Sequence, residues 1–489
     1  MADTQSLIWH TLTATPALFA ATGGVLWGMF GGALPGISPS IALSLLLPLT
    51  YGMDPATAVI LLASTYIGAE YGGSIPAILI RTPGTNAAVA TVWDGYPMHR
   101  AGLGSEALGI SLVSGVFGGL VGLIFLVIFS IPASHLALLF TPAAYFGLGV
   151  LALSAVVGLS GKSRLKGAIA VVIGLMIGTV GTDPLSGVPR FTLGQVELLG
   201  GIDYALIVIG LFAVSELMML AANPAPVAPK TNVRFRPRHL RIPRGTRRAQ
   251  IIGSGVGLFE GCMPGVGGSV AAVISYNLAK RWSKQAWRFG KGSPEGVAAP
   301  EAANNAVAYS TLVPTLTFGI PGSNSSAIIL AGLLIHGIQP GPLLVEQNPE
   351  LLLSLYTGLA LATLVQIPLG LLVIGPCLWL IGRPKPYLLT GMLALILSGA
   401  FVVDNSITDA GIVLLFGLIG YVLRRTGFPL APIIIALLLT HLLESSFRRA
   451  LVLSDGSVAV FLSDPIAAGL LLAAIVLAFV SASGKRRPR

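Results

Sequence analysis

The residues with the most chemical content in this chain form neither a catalytic dyad nor a metal set. They are four Pro-Gly pairs, each followed by small hydroxyl or amide side chains. These are Pro35-Gly36 with Ser38 and Ser40, Pro83-Gly84 with Thr85 and Asn86, Pro264-Gly265 with Ser269, and Pro321-Gly322 with Ser323, Asn324 and Ser325. Proline removes a backbone donor, and glycine admits turns that a continuous helix excludes. A chain broken inside a membrane is tolerated only where it lines a cavity or is buried in protein. The helix that restarts after the break presents free N–H groups and a positive dipole end, and both favour an anion. Ser, Thr and Asn at such a start cap the helix and also offer contacts to a ligand. The pattern predicts one polar chamber shared by the four breaks and suited to a small anion. The plainer reading takes each Pro-Gly as a cap or a close-packing glycine, and recurrence in the same order weighs against it.

That recurrence is a repeat. Residues 26–42 read LWGMFGGALPGISPSIA, and residues 255–271 read GVGLFEGCMPGVGGSVA. An offset of 229 aligns Gly28 with Gly257, Phe30 with Phe259, Gly32 with Gly261, Pro35-Gly36 with Pro264-Gly265, and Ser40 with Ser269. A second pair, RTPGTNAA at 81–88 and GIPGSNSS at 319–326, follows in each half. Between them, segment 223–249 carries eight Lys or Arg, five Pro and no acidic residue. The expected division is an N-terminal transmembrane repeat at 1–222, a basic cytoplasmic linker at 223–249 and a C-terminal transmembrane repeat at 250–489. Two halves with interrupted apolar segments in matching places are a mark of secondary transporters. Arg100 reads as cytoplasmic and the acidic stretch 340–350 as external, which predicts that the halves are inverted.

Composition sets the solvent. Of 489 residues, 54% are hydrophobic and 10% charged, with a mean hydropathy of +0.85. Ordinary soluble domains carry roughly 25% charged residues. The chain is therefore expected to be an all-α polytopic membrane protein with about 12 crossing segments, some of them broken helices or re-entrant hairpins. A soluble enzyme, a disordered chain and a disulfide scaffold are excluded. The net charge of +10 reads as topology, with Lys and Arg on the cytoplasmic side, and not as nucleic-acid binding. Clear apolar runs are 107–131, 136–160 and 465–484, while 351–382 suits one long span or a span plus a re-entrant piece. Arg424/Arg425 and the 223–249 cluster read as cytoplasmic. Loops 183–201 and 444–464 then fall outside, with Arg448/Arg449 as the exception to the rule. Lys280–Arg288, interleaved with Trp282 and Trp287, reads as an interfacial stretch in contact with lipid.

Several further residues stand out. Glu70 and Arg81 are ionisable groups in apolar or small-residue sequence, where a charge is a functional-site hypothesis by default. They are expected to pair with each other, to lie at an interface, or to offer Arg81 to a substrate carboxylate. Glu301, Asn304 and Asn305 begin an apolar helix as a cation or substrate site or as caps, and Glu301 and Asn305 share one helix face. Asp94 in DGYP reads as a turn residue with Pro97 ending its segment. No metal-ligand spacing occurs, and no cofactor is expected beyond a coupling ion at the Pro-Gly breaks.

The longest distinctive stretches are GALPGISPSIALSLLLPLTYGMDP (32–55), YGGSIPAILIRTPGTNAAVATVWDGYPMHRAG (71–102) and GVAAPEAANNAVAYSTLVPTLTFGIPGSNSSAIILAGLLIHGIQPGP (296–342). In these the chain resembles the large membrane subunit of the tripartite tricarboxylate transporters, over nearly its whole length. The resemblance implies a bacterial inner-membrane, multi-pass secondary transporter. It implies two partners, a small four-helix membrane subunit and a periplasmic substrate-binding protein, with a small carboxylate as substrate. Uptake would be driven by an ion gradient, with alternating access of the elevator type as an analogy. Sodium is preferred over protons, because few carboxylates or histidines lie in the apolar sequence to relay protons. The alternatives are a membrane-embedded enzyme, for which no catalytic motif is present, and a passive anion channel.

Overall fold

The computed structural model describes residues 15–34, 37–158, 163–183, 186–222, 233, 235–264, 267–382, 385–404 and 406–483. Pro35, Gly36 and Gly265, together with most of the basic stretch 223–234, lie outside the described residues. The first half holds α1 (Thr15–Ala33), α2 (Pro39–Leu46), α3 (Pro55–Ile80), α4 (Val89–Arg100), α5 (Gly104–Leu138), α6 (Pro142–Gly158), α7 (Arg164–Gly178) and α8 (Tyr204–Ala222). The second holds α9 (Thr246–Gly261), α10 (Gly267–Trp282), α11 (Pro294–Ser310), α12 (Leu312–Phe318), α13 (Asn324–Ile335), α14 (Pro349–Ile381), α15 (Lys385–Asp404), α16 (Ile407–Arg425), α17 (Ala431–Leu453) and α18 (Pro465–Ser483). Two-residue strands β1 (Gly181–Thr182) and β2 (Pro189–Arg190) pair antiparallel between α7 and α8.

By length and hydropathy, α5, α8, α14, α16 and α17 can each cross a membrane, and α6, α13 and much of α18 are shorter apolar helices. Their outer faces are apolar: Ile124, Ile128 and Phe129 on α5 and Leu364, Leu372 and Trp379 on α14 are exposed. Such faces suit lipid and would be a liability in water. The chain is an all-α polytopic membrane protein.

Local sequence explains the helix ends. Asp54 accepts the Thr57 N–H at 3.0 Å, with Pro55 in the first turn, and so starts α3. Asp203 caps α8 through the Ala205 N–H at 2.6 Å. Ser323 and Ser326 form a reciprocal capping box at the start of α13. Helix α3 ends with Arg81 in the left-handed region (φ 60°), and α12 ends with Gly319 in the same conformation (φ 68°). A Thr-Pro-Gly or Ile-Pro-Gly break follows each. The two halves thus stop their long helices by the same device, one with glycine and one without.

Packing is set by glycines. Gly24, Gly28 and Gly32 of α1 lie one turn apart, and a Cβ on each would fall 2.6, 2.1 and 2.1 Å from the backbone oxygens of Leu61, Thr65 and Ala69 of α3. In the second half, a Cβ on Gly253 or Gly257 of α9 would meet the Ala299 or Ala303 oxygen of α11 at 2.2 or 2.3 Å. These helix pairs touch backbone to backbone, as small-residue stripes permit in membranes. The remaining helices are exchanged between halves. Helix α5 packs on α9 and α11, α14 packs on α1 and α3, α8 packs on α16, and α17 packs on α6 and α7. The two sequence halves are therefore interleaved in space.

Segment 351–382 takes the first of its two expected forms, one long helix, α14, whose 33 residues reach about 50 Å at 1.5 Å per residue. Two expectations need revision, the outside loop at 444–464 and the turn at Asp94. Helix α17 runs on to Leu453, so Glu444, Arg448 and Arg449 lie on it and not in a loop. Arg448 contacts Asp183 at 2.8 Å and Glu444 at 2.7 Å, while Arg190 contacts Glu444 at 2.6 Å. This four-membered network ties the β1–β2 hairpin to α17 and gives Arg448 acidic partners of its own. Within the stretch read as a linker, His239 is buried and its carbonyl oxygen lies 1.9 Å from where a Cβ on Gly109 of α5 would sit. Asp94 is no turn residue. It is fully buried within α4, which runs through Pro97 to Arg100. Its carboxylate accepts the N–H groups of Gly290, Gly292 and Ser293 at 2.7–2.9 Å and the Tyr276 hydroxyl at 2.8 Å. That demand for a buried acceptor of four donors overrides the local turn signal.

Leucine at Gly28 or Gly257 cannot be accommodated by rotamer change, because the obstructing atoms are backbone. Each substitution is expected to abolish recovery of a monodisperse protein by size-exclusion chromatography. Leucine at Gly23 or Gly255, where an added Cβ meets nothing within 4 Å, is expected to leave the elution profile unchanged.

Candidate functional site

A cavity of about 420 Å³ lies where the breaks of both halves meet. From the first half it is lined by Ser38, Pro39 and Ser40 at the start of α2, by Pro83, Gly84, Thr85 and Asn86 before α4, and by Tyr66 and Glu70 of α3. From the second half come Gly267, Gly268 and Ser269 at the start of α10, and Ser323, Asn324 and Ser325 at the start of α13. Helix starts thus converge on one space, with their unpaired N–H groups beside hydroxyls and amides.

Hydroxyl groups of the two halves face each other across the walls. Ser40 Oγ lies 3.5 Å from Ser325 Oγ, and the Tyr66 hydroxyl lies 3.4 Å from Ser323 Oγ. The second Pro-Gly break of each half rests on the last glycine of that half's stripe. A Cβ on Gly84 would fall 1.9 Å from the Gly32 oxygen, and one on Gly322 would fall 2.6 Å from the Gly261 oxygen. Close approach of this kind brings the broken segments into the protein interior. Within the turn, the Gly84 N–H donates to the Gly73 carbonyl at 3.1 Å.

Not every residue singled out by sequence reaches the cavity. Pro264, Pro321 and Gly322 lie beside it without lining it. Asn304 stands just behind the wall. Its Nδ2 donates to Glu70 Oε2 at 2.8 Å, and its Oδ1 has no hydrogen-bond partner and lies 2.2 Å from where a Gly268 Cβ would sit. Glu70 is 5% exposed. Glu301 is set further back, accepting Thr91 Oγ1 at 2.5 Å and Ser111 Oγ at 2.9 Å. Asn305 faces α5, its Nδ2 bonded to the Glu301 carbonyl at 3.0 Å. Arg81 forms no pair with Glu70. It is exposed, with its guanidinium 5.8 Å from the centre of the Tyr96 ring, because its place at the left-handed end of α3 directs it away from the helix body.

Besides Pro39, Ala87, Gly267 and Gly268, which adjoin residues singled out by sequence, the lining residues Tyr66, Phe212, Glu216 and Arg424 escaped the sequence reading of the site. Arg424, read from sequence as a topology anchor, forms an ion pair with Glu216. It is the cation among the described residues that line this cavity. Glu216 and Phe212 belong to or follow a π-helical segment of α8, Ile209–Val214. No residue pattern in the sequence announces a π segment, and only the packing of α8 on α16 reveals the pair.

A polytopic membrane protein whose interrupted helices from two sequence halves line a polar chamber has the form of a membrane transporter. The chain belongs to the family described as the Tripartite tricarboxylate transporter TctA family, which it matches over residues 18–435. It is thus a subunit of the tricarboxylate transporter type, and its family implies a system with further subunits. It is 35% identical over 474 residues to the "Uncharacterized 52.8 kDa protein in TAR-I ttuC' 3'region" of Agrobacterium vitis, covering 95% of this chain and 94% of that protein. A second Agrobacterium vitis protein, "Uncharacterized protein in TAR-II ttuC' 3'region", is 34% identical over 234 residues, covering 47% of this chain and 97% of its own length. No solved structure matches the chain.

Arg81 occupies a backbone conformation that costs an ordinary residue about 1 kcal/mol or more relative to glycine. Arg81→Gly is expected to stabilise the purified protein by about 1 kcal/mol and to leave carboxylate uptake at the unaltered level. Thermal unfolding followed by fluorescence, together with an uptake assay, checks both.

Proposed function

We propose that this chain is the large membrane subunit of an ion-coupled importer of tricarboxylates or related small carboxylates, and that the chamber is its substrate site. The observation that carries this reading is the convergence of helix starts from both halves, with their Ser, Thr and Asn side chains, on one cavity. Helix N-termini supply donors and a positive field suited to carboxylate groups. The predicted contacts are Ser38 and Ser40, Thr85 and Asn86, Ser269, and Ser323, Asn324 and Ser325, with the flanking Pro-Gly pairs giving the turns.

A coupling cation, sodium in preference to a proton, belongs on the same chamber wall. Glu70 supports this: a buried carboxylate beside the unpartnered Asn304 Oδ1 offers oxygen ligands of the kind a hard monovalent cation takes. A cation there and an anion at the helix starts would offset each other's charge, which favours binding them together. The partners are the small four-helix membrane subunit and a periplasmic binding protein, and the site is a bacterial inner membrane. The two halves are inverted about the chamber, so that alternating access exposes it to each side in turn. The activity is that of a carrier and not of an enzyme or channel.

In proteoliposomes containing the three subunits, uptake is expected to saturate with substrate, to require the binding protein and to follow a sodium gradient. Uptake driven by a proton gradient without sodium would overturn the choice of ion. Asn86→Ala and Asn324→Ala should each cut uptake at least tenfold while leaving membrane insertion intact, and full activity in both would overturn the site. For inversion, single cysteines at Arg100 and Glu346 should label from opposite membrane faces, and labelling from one face would refute it.

A further inference from the structure

The chamber contains a contradiction that its hydroxyl-lined breaks do not resolve. It is suited to an anion, yet two carboxylates, Glu70 and Glu216, line it beside a single described cation, Arg424. That cation is already engaged, its Nη1 paired with Glu216 Oε2. The two side chains are 25% and 14% exposed, so the pair is neither free in water nor sealed in the core. It faces a space that a small ligand can enter.

The pair is placed by unusual packing. Helix α8 turns from π-helical to α-helical at Ser215, one residue before Glu216. Such π segments are rare and recur at functional sites, because the extra residue re-aims the side chains that follow. Against that segment, α16 lays three close contacts. A Cβ on Gly417 would lie 2.2 Å from Val214 Cγ1, one on Gly420 would lie 2.9 Å from Ser215 Cβ, and one on Gly210 would lie 2.6 Å from Phe416 Cβ. The backbones are pressed together so that Glu216 of the first repeat and Arg424 of the second meet at the rim of the chamber. A lipid-facing salt bridge would need no such arrangement.

We propose that Arg424 binds one carboxylate group of a substrate that carries at least two, and that Glu216 is the internal counter-ion it releases when substrate enters. This rests on the carboxylate-carrier reading above and specifies which part of the site recognises charge number. A guanidinium is a planar fork with further N–H groups beyond the Nη1 that Glu216 engages, and it matches a carboxylate in two-point geometry. One carboxylate of the substrate lies on the helix starts of α2 and α13, and a second takes the place of Glu216 on Arg424. A monocarboxylate fills the first position only. With the chamber empty, the Glu216 carboxylate keeps Arg424 from standing as an uncompensated charge near the apolar phase. Exchange of one carboxylate for another keeps Arg424 paired in both states, and the displaced Glu216 carboxylate, already partly exposed, turns to the water at the chamber rim. It also releases Glu216 on α8, so substrate arrival is communicated to the contact between α8 and α16.

The test uses the full-length purified chain in lipid nanodiscs, with calorimetric titration of citrate, succinate and acetate, and uptake of citrate by the reconstituted three-subunit system. Arg424→Gln should weaken citrate and succinate at least tenfold and acetate less than twofold. Glu216→Gln removes the competing carboxylate and should tighten citrate at least threefold, while slowing its release and lowering maximal uptake. The charge exchange Glu216→Arg with Arg424→Glu should restore the melting temperature of the single variants to that of the unaltered protein without restoring citrate binding. Equal losses of citrate affinity in Arg424→Gln and Glu216→Gln, or recovery of binding by the charge exchange, would make the pair structural and overturn the proposal. Citrate binding unchanged by Arg424→Gln would overturn it while leaving the carrier reading in place. Absence of binding of all three probes together with absence of citrate uptake by the unaltered protein would overturn the carrier reading, and this assignment with it.

Discussion

The structure depends on backbones being able to touch. Helices α1 and α3 approach so closely that side chains are excluded along a stripe at Gly24, Gly28 and Gly32, and α9 repeats the arrangement on α11 at Gly253 and Gly257. In lipid there is no hydrophobic gain in bringing two apolar helices together, so association relies on close van der Waals fit. The last glycine of each stripe then receives the Pro-Gly break of its own half, Gly32 beneath Gly84 and Gly261 beneath Gly322. Without that depression, a chain carrying unpaired backbone groups would be held out toward lipid, where such groups are costly. The breaks at Gly84 and Gly322 reach the chamber wall because the platform beneath each is made of glycine.

Interleaving of the halves follows from the same geometry. Each half presents a helix pair, α1–α3 or α9–α11, and the long helix that flanks it, α14 or α5, comes from the other half. The chamber is bounded by both repeats and belongs to neither. Its inner surface combines dipole ends, hydroxyls and amides with a few charges. Those charges are of both signs, Glu70 and Glu216 against Arg424. Buried charges persist only when paired or solvated by fixed polar groups, and here Glu70 is held by Asn304 and Glu216 by Arg424. A ligand entering such a site exchanges partners with the protein's own groups and does not simply fill a neutral hollow.

Much of this was legible in the sequence, for reasons that can be named. The membrane setting follows from composition, because a chain with 10% charged residues cannot cover itself in water. Pro-Gly pairs report breaks because the two residues act on the backbone directly, wherever they sit. The repeat was readable because glycine tolerates no substitute where backbones touch, so Gly28 and Gly32 have counterparts in Gly257 and Gly261. Other residues were misjudged where a distant partner decides their role. Asp94 looks like a turn former until Gly290, Gly292, Ser293 and Tyr276 gather on its carboxylate. Arg448 looks misplaced until Asp183 and Glu444 are seen beside it.

By itself, then, the sequence determined the solvent of this protein, its breaks, its duplication and the small polar residues at each restart, since all of these arise from local backbone chemistry and composition. The tertiary structure alone decided which of those residues share a space. It left Arg81 outside at the end of α3, set Asn304 behind the wall against Glu70, and brought Arg424 from an apparent membrane anchor to the rim of the chamber against Glu216. The physical reason is that a side chain's partner is chosen by the path of the whole chain. Residues 208 positions apart, as Glu216 and Arg424 are, carry no trace of each other until helices from two repeats are pressed together.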